Sequence, residues 1–142
     1  MKNLTLEHIA DCCHGTYIGP EEQRNFEVTG VVIDSRKAEA GNLFVAIKGE
    51  RVDGHTFIDA VYGQGAAAVV SEQRLEVPKG PYILVESTAQ ALKDIAAFYR
   101  DSLDIKVVGI TGSVGKTSTK EMIASVLSEK YRVLKTAGNF NN

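Results

Sequence analysis

The sequence predicts an α/β fold: a small α/β domain over residues 1–100, followed by the first strand, loop, helix and strand of a second, truncated α/β domain over residues 101–142. Three observations support this class. Short apolar runs alternate with segments of helical periodicity along the chain. Glycines, prolines and polar clusters separate the segments. A glycine-rich stretch ending in Lys116-Thr117 lies between an apolar run and a helical segment.

Composition and charge exclude several classes of protein. The 142 residues are 44% hydrophobic and 24% charged, and sixteen basic against eighteen acidic residues give a net charge of -2. This balance offers no chain-wide attraction for nucleic acid or an anionic membrane. No apolar run approaches the roughly 20 residues that span a bilayer, and the start MKNLTLEHIADCC carries charges where a signal peptide has its apolar core. We expect a cytoplasmic monomer with no nucleic-acid or membrane partner.

The cysteines and histidines do not form a metal-binding or disulfide pattern. The only two cysteines, Cys12 and Cys13, are adjacent, and the three histidines are scattered. Neighbouring residues on a helix point in different directions, so a shared zinc site or a disulfide framework is not expected. Both cysteines are predicted to be buried or half-buried thiols.

The first part of the chain alternates between helix and strand patterns. Apolar residues at helical spacing predict a helix over residues 4–13. The β-rich runs 28–33 and 43–47 predict two strands, each ending in a polar loop. A short helix is predicted over residues 57–62, closed by a glycine, and a third strand over residues 66–70.

The rest of the chain continues the alternation. Residues 82–85 predict a strand, and Ser87-Thr88-Ala89-Gln90 fits a capping box, in which the Ser87 hydroxyl accepts from the Gln90 backbone and the Gln90 side chain reaches back. The helix that follows ends near Arg100. Residues 106–111 are then predicted as a strand, 116–129 as a helix and 131–136 as the start of another strand.

The loop from Gly112 to Thr117 has the parts of a phosphate-binding site. Converging backbone N–H groups need glycines where a Cβ would block the anion, and a helix start, a lysine and a hydroxyl complete the set. The strict G-x-x-x-x-G-K-[ST] pattern would place its first glycine at position 110, which is Ile110, so the match is to a shortened variant. The expected nucleotide-binding residues are Gly112, Ser113, Val114, Gly115, Lys116, Thr117 and Ser118.

Two of these residues have distinct expected roles. Lys116 would contact the β- and γ-phosphates of ATP, and the Thr117 hydroxyl would bind Mg²⁺, which makes these two residues the catalytic candidates. The structural alternative is a glycine turn with Lys116 in solvent, while Ser118 could instead cap the helix or face solvent. Since P-loops serve many reactions, the loop alone does not name one.

Several segments together resemble the Mur ligases, the ATP-dependent amide-forming enzymes of cell-wall synthesis. In that family D-S-R, a G-x-L-F-V-A-x-x-G strand, D-G-H and G-A-x-A-V-V recur in order, as they do here at residues 34–36, 41–49, 53–55 and 65–70. The loop ITGSVGKTSTKEM, residues 110–122, is similar to the family's short ATP-binding motif, which accounts for Ile110. The resemblance covers residues 28–142 and implies a uridine-nucleotide-binding first domain and an ATP-binding second one.

The resemblance also implies a reaction. ATP converts a peptide carboxylate into an acyl phosphate, which an amine then attacks. KTAGNFNN, residues 135–142, looks most like the branch that adds D-alanyl-D-alanine to UDP-N-acetylmuramoyl-tripeptide. The implied small-molecule partners are these two substrates, and the implied cofactors are ATP and Mg²⁺. The alternatives are the sibling branch that adds the third amino acid, and a non-catalytic module that binds uridine nucleotides. A P-loop GTPase or kinase leaves residues 28–70 unexplained.

The resemblance assigns substrate contacts in two regions. Ser35 and Arg36 are candidates for the uridine diphosphate end of the substrate, where a guanidinium suits a diphosphate. The other candidates are Lys48, Asp53, His55, Asn139 and Asn142. The structural alternative for residues 34–36 is a turn in which Asp34 caps backbone N–H groups and Arg36 pairs locally, and residues 53–55 could equally form a capped turn.

The family's downstream magnesium ligands, adenine contacts and C-terminal domain have no counterpart in these residues, so we expect no turnover by the 142-residue chain alone. The measurement is phosphate release in the presence of ATP, UDP-N-acetylmuramoyl-tripeptide and D-alanyl-D-alanine. Sustained release coupled to product would contradict this expectation.

Overall fold

The structure of the protein is a computed structural model that describes residues 1 and 3–137. The chain divides into two compact units, Met1–Asp104 and Ile105–Asn142. Among the described residues, no helix is both long and apolar enough to cross a bilayer.

The first unit is built on a five-stranded sheet. Its strands are β1 (Thr16–Ile18), β2 (Gly30–Val32), β3 (Asn42–Val45), β4 (Ala68–Ser71) and β5 (Tyr82–Leu84). The spatial order is β1-β5-β4-β3-β2; β2 to β5 run parallel, and β1 pairs antiparallel with β5. The carboxyl ends of four strands therefore lie along one edge of the sheet.

Helices cover both faces of this sheet. The helices of the first unit are α1 (Leu6–Cys12), α2 (Ile58–Gly63) and α3 (Thr88–Asp101), with short 3-10 helices at Glu21–Gln23, Ser35–Lys37 and Gly54–Phe57. Apolar residues of α1 and α3 share one core cluster with Leu43 and Val45. Those of α2 share the second cluster with Phe44 and Val69. Alternate residues of β3 thus face opposite helical layers.

The two central strands explain why the sheet is stable. All four residues of β3 and all four of β4 are buried. Parallel strands covered on both faces are apolar on both faces, as these are. Burying each large apolar side chain contributes about 1.5–3 kcal/mol.

The predicted elements of the first unit are confirmed in outline and corrected in detail. The predicted strands 28–33, 43–47, 66–70 and 82–85 correspond to β2 to β5, with shorter bounds for β2, β3 and β5 and a shift towards the C-terminus for β4. Strand β1 was not predicted, because three residues are too few to show an alternating pattern.

The capping box at the start of α3 is only half formed. The Ser87 hydroxyl accepts from the Gln90 backbone N–H at 3.3 Å, as predicted. The Gln90 side chain instead donates to the Asp94 carboxylate at 2.8 Å, one helical turn further on. The i,i+4 partner on the helix surface replaces the reach back to the cap.

Between residues 105 and 137, the second unit forms one helix, α4 (Lys116–Ser128), close to the predicted bounds. The strands predicted over 106–111 and 131–136 are not formed among the described residues. A strand requires a neighbour for its backbone N–H and C=O groups. The part of this unit that the structure describes supplies no such ladder, and side chains such as Val107 and Leu134 are exposed. A side-chain contact joins α4 to the second segment, because Lys120 Nζ donates to the Thr136 carbonyl at 2.7 Å.

Gly54 allows the chain to pass close to the end of β3. Its N–H donates to the Ile47 carbonyl at 2.9 Å. A Cβ at Gly54 would lie 2.8 Å from the Ile47 oxygen and 2.9 Å from its nitrogen. Both are backbone atoms, so the close approach requires glycine at this position of the D-G-H motif.

Gly54→Ala is expected to lower the free energy of unfolding by about 1–3 kcal/mol, because the added methyl overpacks against backbone. Gly63→Ala is the matched control, since nothing lies within 4 Å of its Cβ position. There, the helical position favours alanine by about 0.5–1 kcal/mol. Urea denaturation followed by circular dichroism measures both, and equal effects of the two substitutions would contradict the packing argument.

Candidate functional site

Polar residues that follow three of the parallel strands lie at one edge of the sheet. Asp34, Ser35 and Arg36 follow β2, the segment from Lys48 to His55 follows β3, and Glu72 follows β4. In open α/β sheets, ligands bind outside the carboxyl ends of the strands. Every substrate candidate in the first unit therefore lies at the edge where a ligand is expected.

Asp34 organises the turn after β2. Its carboxylate accepts from the Arg36 backbone N–H at 3.1 Å and so caps the 3-10 helix Ser35–Lys37. The Arg36 guanidinium donates to both carboxylate oxygens, from Nε at 2.9 Å and from Nη2 at 2.8 Å. These bonds to Arg36 lower the pKa of Asp34 to about 2. This is the local turn that the sequence allowed as the structural alternative.

The Arg36 side chain remains 87% exposed although it pairs with Asp34. An exposed guanidinium held in one orientation by a bidentate partner is pre-organised to meet an anion in solvent. The turn is therefore compatible with the predicted diphosphate contact.

The loop after β3 is a small, closed hairpin. Lys48 and Asp53 form an isolated antiparallel bridge, and the Gly49 N–H donates to the Val52 carbonyl at 2.9 Å. Asp53 then caps the 3-10 helix Gly54–Phe57 by accepting from the His55 backbone N–H at 2.9 Å. The pKa of Asp53 is lowered first by this backbone bond and next by the His55 side chain.

Both ring nitrogens of His55 bind other parts of the chain. Nδ1 lies 2.6 Å from Asp53 Oδ1, and Nε2 lies 3.1 Å from the Glu72 backbone nitrogen. The imidazole is 6% exposed. With Nδ1 and Nε2 both engaged within the chain, His55 has a supporting position in this arrangement, and its contact with the substrate stays a prediction.

The glycine loop of the second unit has an open backbone. Gly112 and Gly115 have φ values of 147° and 80°, which residues other than glycine rarely adopt. No atom lies within 4 Å of a Cβ built at Gly115, and the nearest to Gly112 is the Val114 oxygen at 3.7 Å. The glycines are therefore required by backbone conformation, and the space beside them is open to an approaching phosphate.

Lys116 and the start of α4 complete the loop. Gly115 precedes the helix without a side-chain cap, and the first helical bond runs from the Thr119 N–H to the Gly115 carbonyl at 2.9 Å. The N–H groups of the first turn have no partner within a helix, which suits an anion. Lys116 Nζ donates to the Gly112 carbonyl at 2.6 Å, so its charge lies at the loop itself.

The remaining candidates have simpler placements. Ser113 and Val114 lie in the exposed turn, and Thr117 and Ser118 lie in the first turn of α4. Asn139 and Asn142 lie outside the described residues. Within residues 1 and 3–137, no group of three or more histidine, cysteine, aspartate or glutamate side chains could hold a metal ion.

Glu72 and its partner Thr88, at the edge of the sheet, had no predicted role in the site. Glu72 Oε1 accepts from the Thr88 backbone N–H at 2.7 Å and from the Thr88 hydroxyl at 2.9 Å. The position of Glu72 directly after an apolar strand was the only sequence feature that pointed to it. Its partner is sixteen residues away, so no local pattern reveals the contact.

Comparison with known proteins identifies two matching family models. The model described as "Mur ligase family, catalytic domain" matches residues 27–100, and the "Mur ligase middle domain" model matches residues 110–142. The first alone covers more than half of the chain.

Relatives and solved structures extend the similarity to the full length. The UDP-N-acetylmuramoyl-tripeptide--D-alanyl-D-alanine ligase of Bacillus subtilis is 43% identical over 100% of this chain and 31% of its own length. A crystal structure of MurF from Acinetobacter baumannii superposes with a TM-score of 0.86 at 34% identity, covering 97% of this chain and 30% of that one. MurF ligase from Thermotoga maritima in complex with ADP gives a TM-score of 0.71 at 40% identity, covering 78% and 26%. The chain therefore spans about a third of the length of the curated relatives it matches.

The Asp34 contacts predict how its carboxyl titrates. In wild type we expect a midpoint of about 2 for Asp34 by carboxyl ¹³C NMR. Arg36→Gln should raise the pKa part of the way to the ordinary value, since the backbone N–H bond of residue 36 remains. Because the pKa is depressed in the folded state, the stability contributed by the charged carboxylate is present above the ordinary carboxyl pKa and is lost as the pH falls through about 2.

Lys37→Met is the control for that titration, because the charge of Lys37 makes the smallest of the contributions that lower the pKa of Asp34. It should shift the midpoint less than Arg36→Gln does. A larger shift for Lys37→Met would show that long-range charge, and not the paired guanidinium, sets the pKa.

Proposed function

Because the chain belongs to the Mur ligase family, we propose that its two units carry the uridine-nucleotide-binding and ATP-phosphate-binding residues of a ligase that joins D-alanyl-D-alanine to UDP-N-acetylmuramoyl-tripeptide. The observation that carries the proposal is the open glycine loop at the start of α4, in a chain similar over its full length to a ligase of this specificity. The chain spans 31% of that relative, so the activity is proposed for a protein that contains these residues.

At the ATP end, the backbone of the loop and the Lys116 side chain would contact different phosphate groups. The backbone N–H groups of residues 112–117 would surround the β-phosphate, as the open glycine positions allow. Lys116 Nζ would leave the Gly112 carbonyl and bind the β- and γ-phosphates, which are stronger, charged acceptors.

A magnesium ion fits this loop as a partner of the phosphates. Mg²⁺ usually keeps several waters and takes few protein ligands besides substrate phosphates. Thr117, in the first turn of α4, would bind the magnesium ion through its hydroxyl. When bound, the ion would neutralise charge on the phosphoryl group.

At the uridine end, the edge formed by β2 and β3 would hold the nucleotide of the substrate. Arg36 supplies an exposed, oriented guanidinium for the diphosphate, and Ser35 lies beside it for the uracil or ribose. Lys48 provides a second cation at the same edge, with Asp53 and His55 fixing its loop. Binding a remote part of the substrate helps to position the reacting carboxylate.

The chemistry follows from the poor reactivity of a carboxylate. Transfer of the γ-phosphoryl group of ATP to the peptide carboxylate forms an acyl phosphate, and the amine of D-alanyl-D-alanine then displaces phosphate to form the amide. The chain's own contribution is to bind the phosphates through Lys116 and the loop, and to hold the uridine end through the first unit.

The cytoplasm remains the proposed compartment, and a monomer remains the proposed oligomeric state.

Calorimetric titration of the 142-residue chain tests both ends. We expect binding of UDP and of MgATP, and Lys116→Met should weaken MgATP binding by about 10- to 100-fold, since a bond to a charged group contributes about 1.5–3 kcal/mol. UDP affinity should not change in this variant.

Lys106→Met is the matched control, because Lys106 is an exposed lysine of the same unit outside the loop. Equal losses of MgATP affinity in both variants would contradict a specific role for Lys116. Binding of UDP with no binding of MgATP would favour the alternative of a non-catalytic module for uridine nucleotides.

A further inference from the structure

A continuous series of hydrogen bonds connects the loops after β3 and β4 with the start of α3. Asp53 Oδ1 binds His55 Nδ1 at 2.6 Å, and His55 Nε2 binds the Glu72 backbone N–H at 3.1 Å. The Glu72 carboxylate then accepts twice from Thr88, from the backbone N–H at 2.7 Å and from the hydroxyl at 2.9 Å. The series joins residues 53 to 88 through three separate loops.

The two contacts of the His55 ring indicate one tautomer of the neutral imidazole. The Glu72 N–H is a donor, so Nε2 must accept, and the hydrogen of the neutral ring therefore lies on Nδ1, where it donates to Asp53. An imidazole that is 6% exposed and has both nitrogens engaged is held in a single orientation. His55 can therefore transmit the position of Asp53 to Glu72.

The Glu72 carboxylate lies at the amino end of α3. Thr88 is the first residue of that helix and is fully buried. A carboxylate that accepts from the first turn interacts favourably with the helix dipole as well as with the two donors. The bonds to Thr88 also lower the pKa of Glu72, which agrees with a charged side chain at this position.

We propose that His55 and Glu72 are positioning residues that couple the hairpin after β3 to the start of α3 and so pre-organise the edge that binds the uridine nucleotide. The effect on nucleotide affinity depends on the proposed function; the coupling does not. Lys48 belongs to the same hairpin through its bridge with Asp53. Loss of the His55 contact would therefore free a nucleotide-binding cation without removing any group that touches the ligand.

Conservative variants separate the two bonds of His55. In His55→Asn, the amide N–H can lie near the position of Nδ1, but the side chain cannot reach Glu72. In His55→Gln, the longer side chain can place an acceptor near the position of Nε2. Thr88→Val removes one donor to Glu72 and keeps the backbone N–H. His14→Asn is the matched control, since His14 is an exposed histidine in a left-handed conformation that asparagine tolerates.

Amide hydrogen exchange tests the coupling without a ligand. His55→Asn should speed exchange of the Thr88 amide at least threefold, and Thr88→Val should do the same for the His55 amide. His55→Gln should have a smaller effect on Thr88 than His55→Asn, and His14→Asn should have none. Unchanged exchange at Thr88 in His55→Asn would overturn the coupling.

UDP titration, at a temperature where every variant is folded, tests the effect on binding. His55→Asn and Thr88→Val should each raise the Kd about 3- to 10-fold, and the double variant should raise it by less than the product of the two. If His55 contacted UDP directly, His55→Gln would raise the Kd as much as His55→Asn, and Thr88→Val would leave the Kd unchanged. That result would overturn the positioning role.

Two further outcomes separate this inference from the proposed function. Changed exchange with UDP affinity within twofold of wild type would show a coupling that serves stability alone, and would overturn the positioning role. Absence of UDP binding by the wild-type chain would refute the proposed function, and the exchange data would then decide by themselves whether His55 and Thr88 are coupled.

Discussion

The burial of two parallel strands, β3 and β4, on both faces is the constraint on which the first unit depends. The strands β3 and β4 have no exposed residue, and their side chains alternate between two separate helical layers. A parallel sheet can be covered in this way only if each strand begins at the same edge and each connection returns across a face. The carboxyl ends of β2 to β5 therefore lie at one edge, where the candidate ligand residues of the first unit lie.

Short polar residues convert that edge into a defined surface. Asp34 and Asp53 each accept from a backbone N–H two residues ahead, and Ser87 accepts from one three residues ahead. Each bond begins a helical turn, because it satisfies a donor that the turn leaves unpaired. The same carboxylates also orient Arg36 and His55, so helix capping and site geometry have a common cause.

The glycine loop in the second unit is formed largely by local interactions. Two glycines with positive φ, the start of α4 and the bond from Lys116 to the Gly112 carbonyl all lie within five consecutive residues. Such a loop needs no distant partner to take its shape. The flanking residues 106–111 do need one, since a strand exists only through its neighbours, and there the sequence prediction of a strand was not met.

The sequence by itself determined the α/β class, the central helices and strands, and the glycine loop, because periodicity, capping residues and glycine spacing act over a few residues. It also indicated the family through ordered motifs. Only the tertiary structure decided that Asp34 pairs with Arg36 on both carboxylate oxygens, that His55 is enclosed, and that Glu72 binds Thr88. Contacts between residues such as Glu72 and Thr88 depend on how the strands are ordered in the sheet. That order is fixed by packing on two faces at once, and no short stretch of sequence contains it.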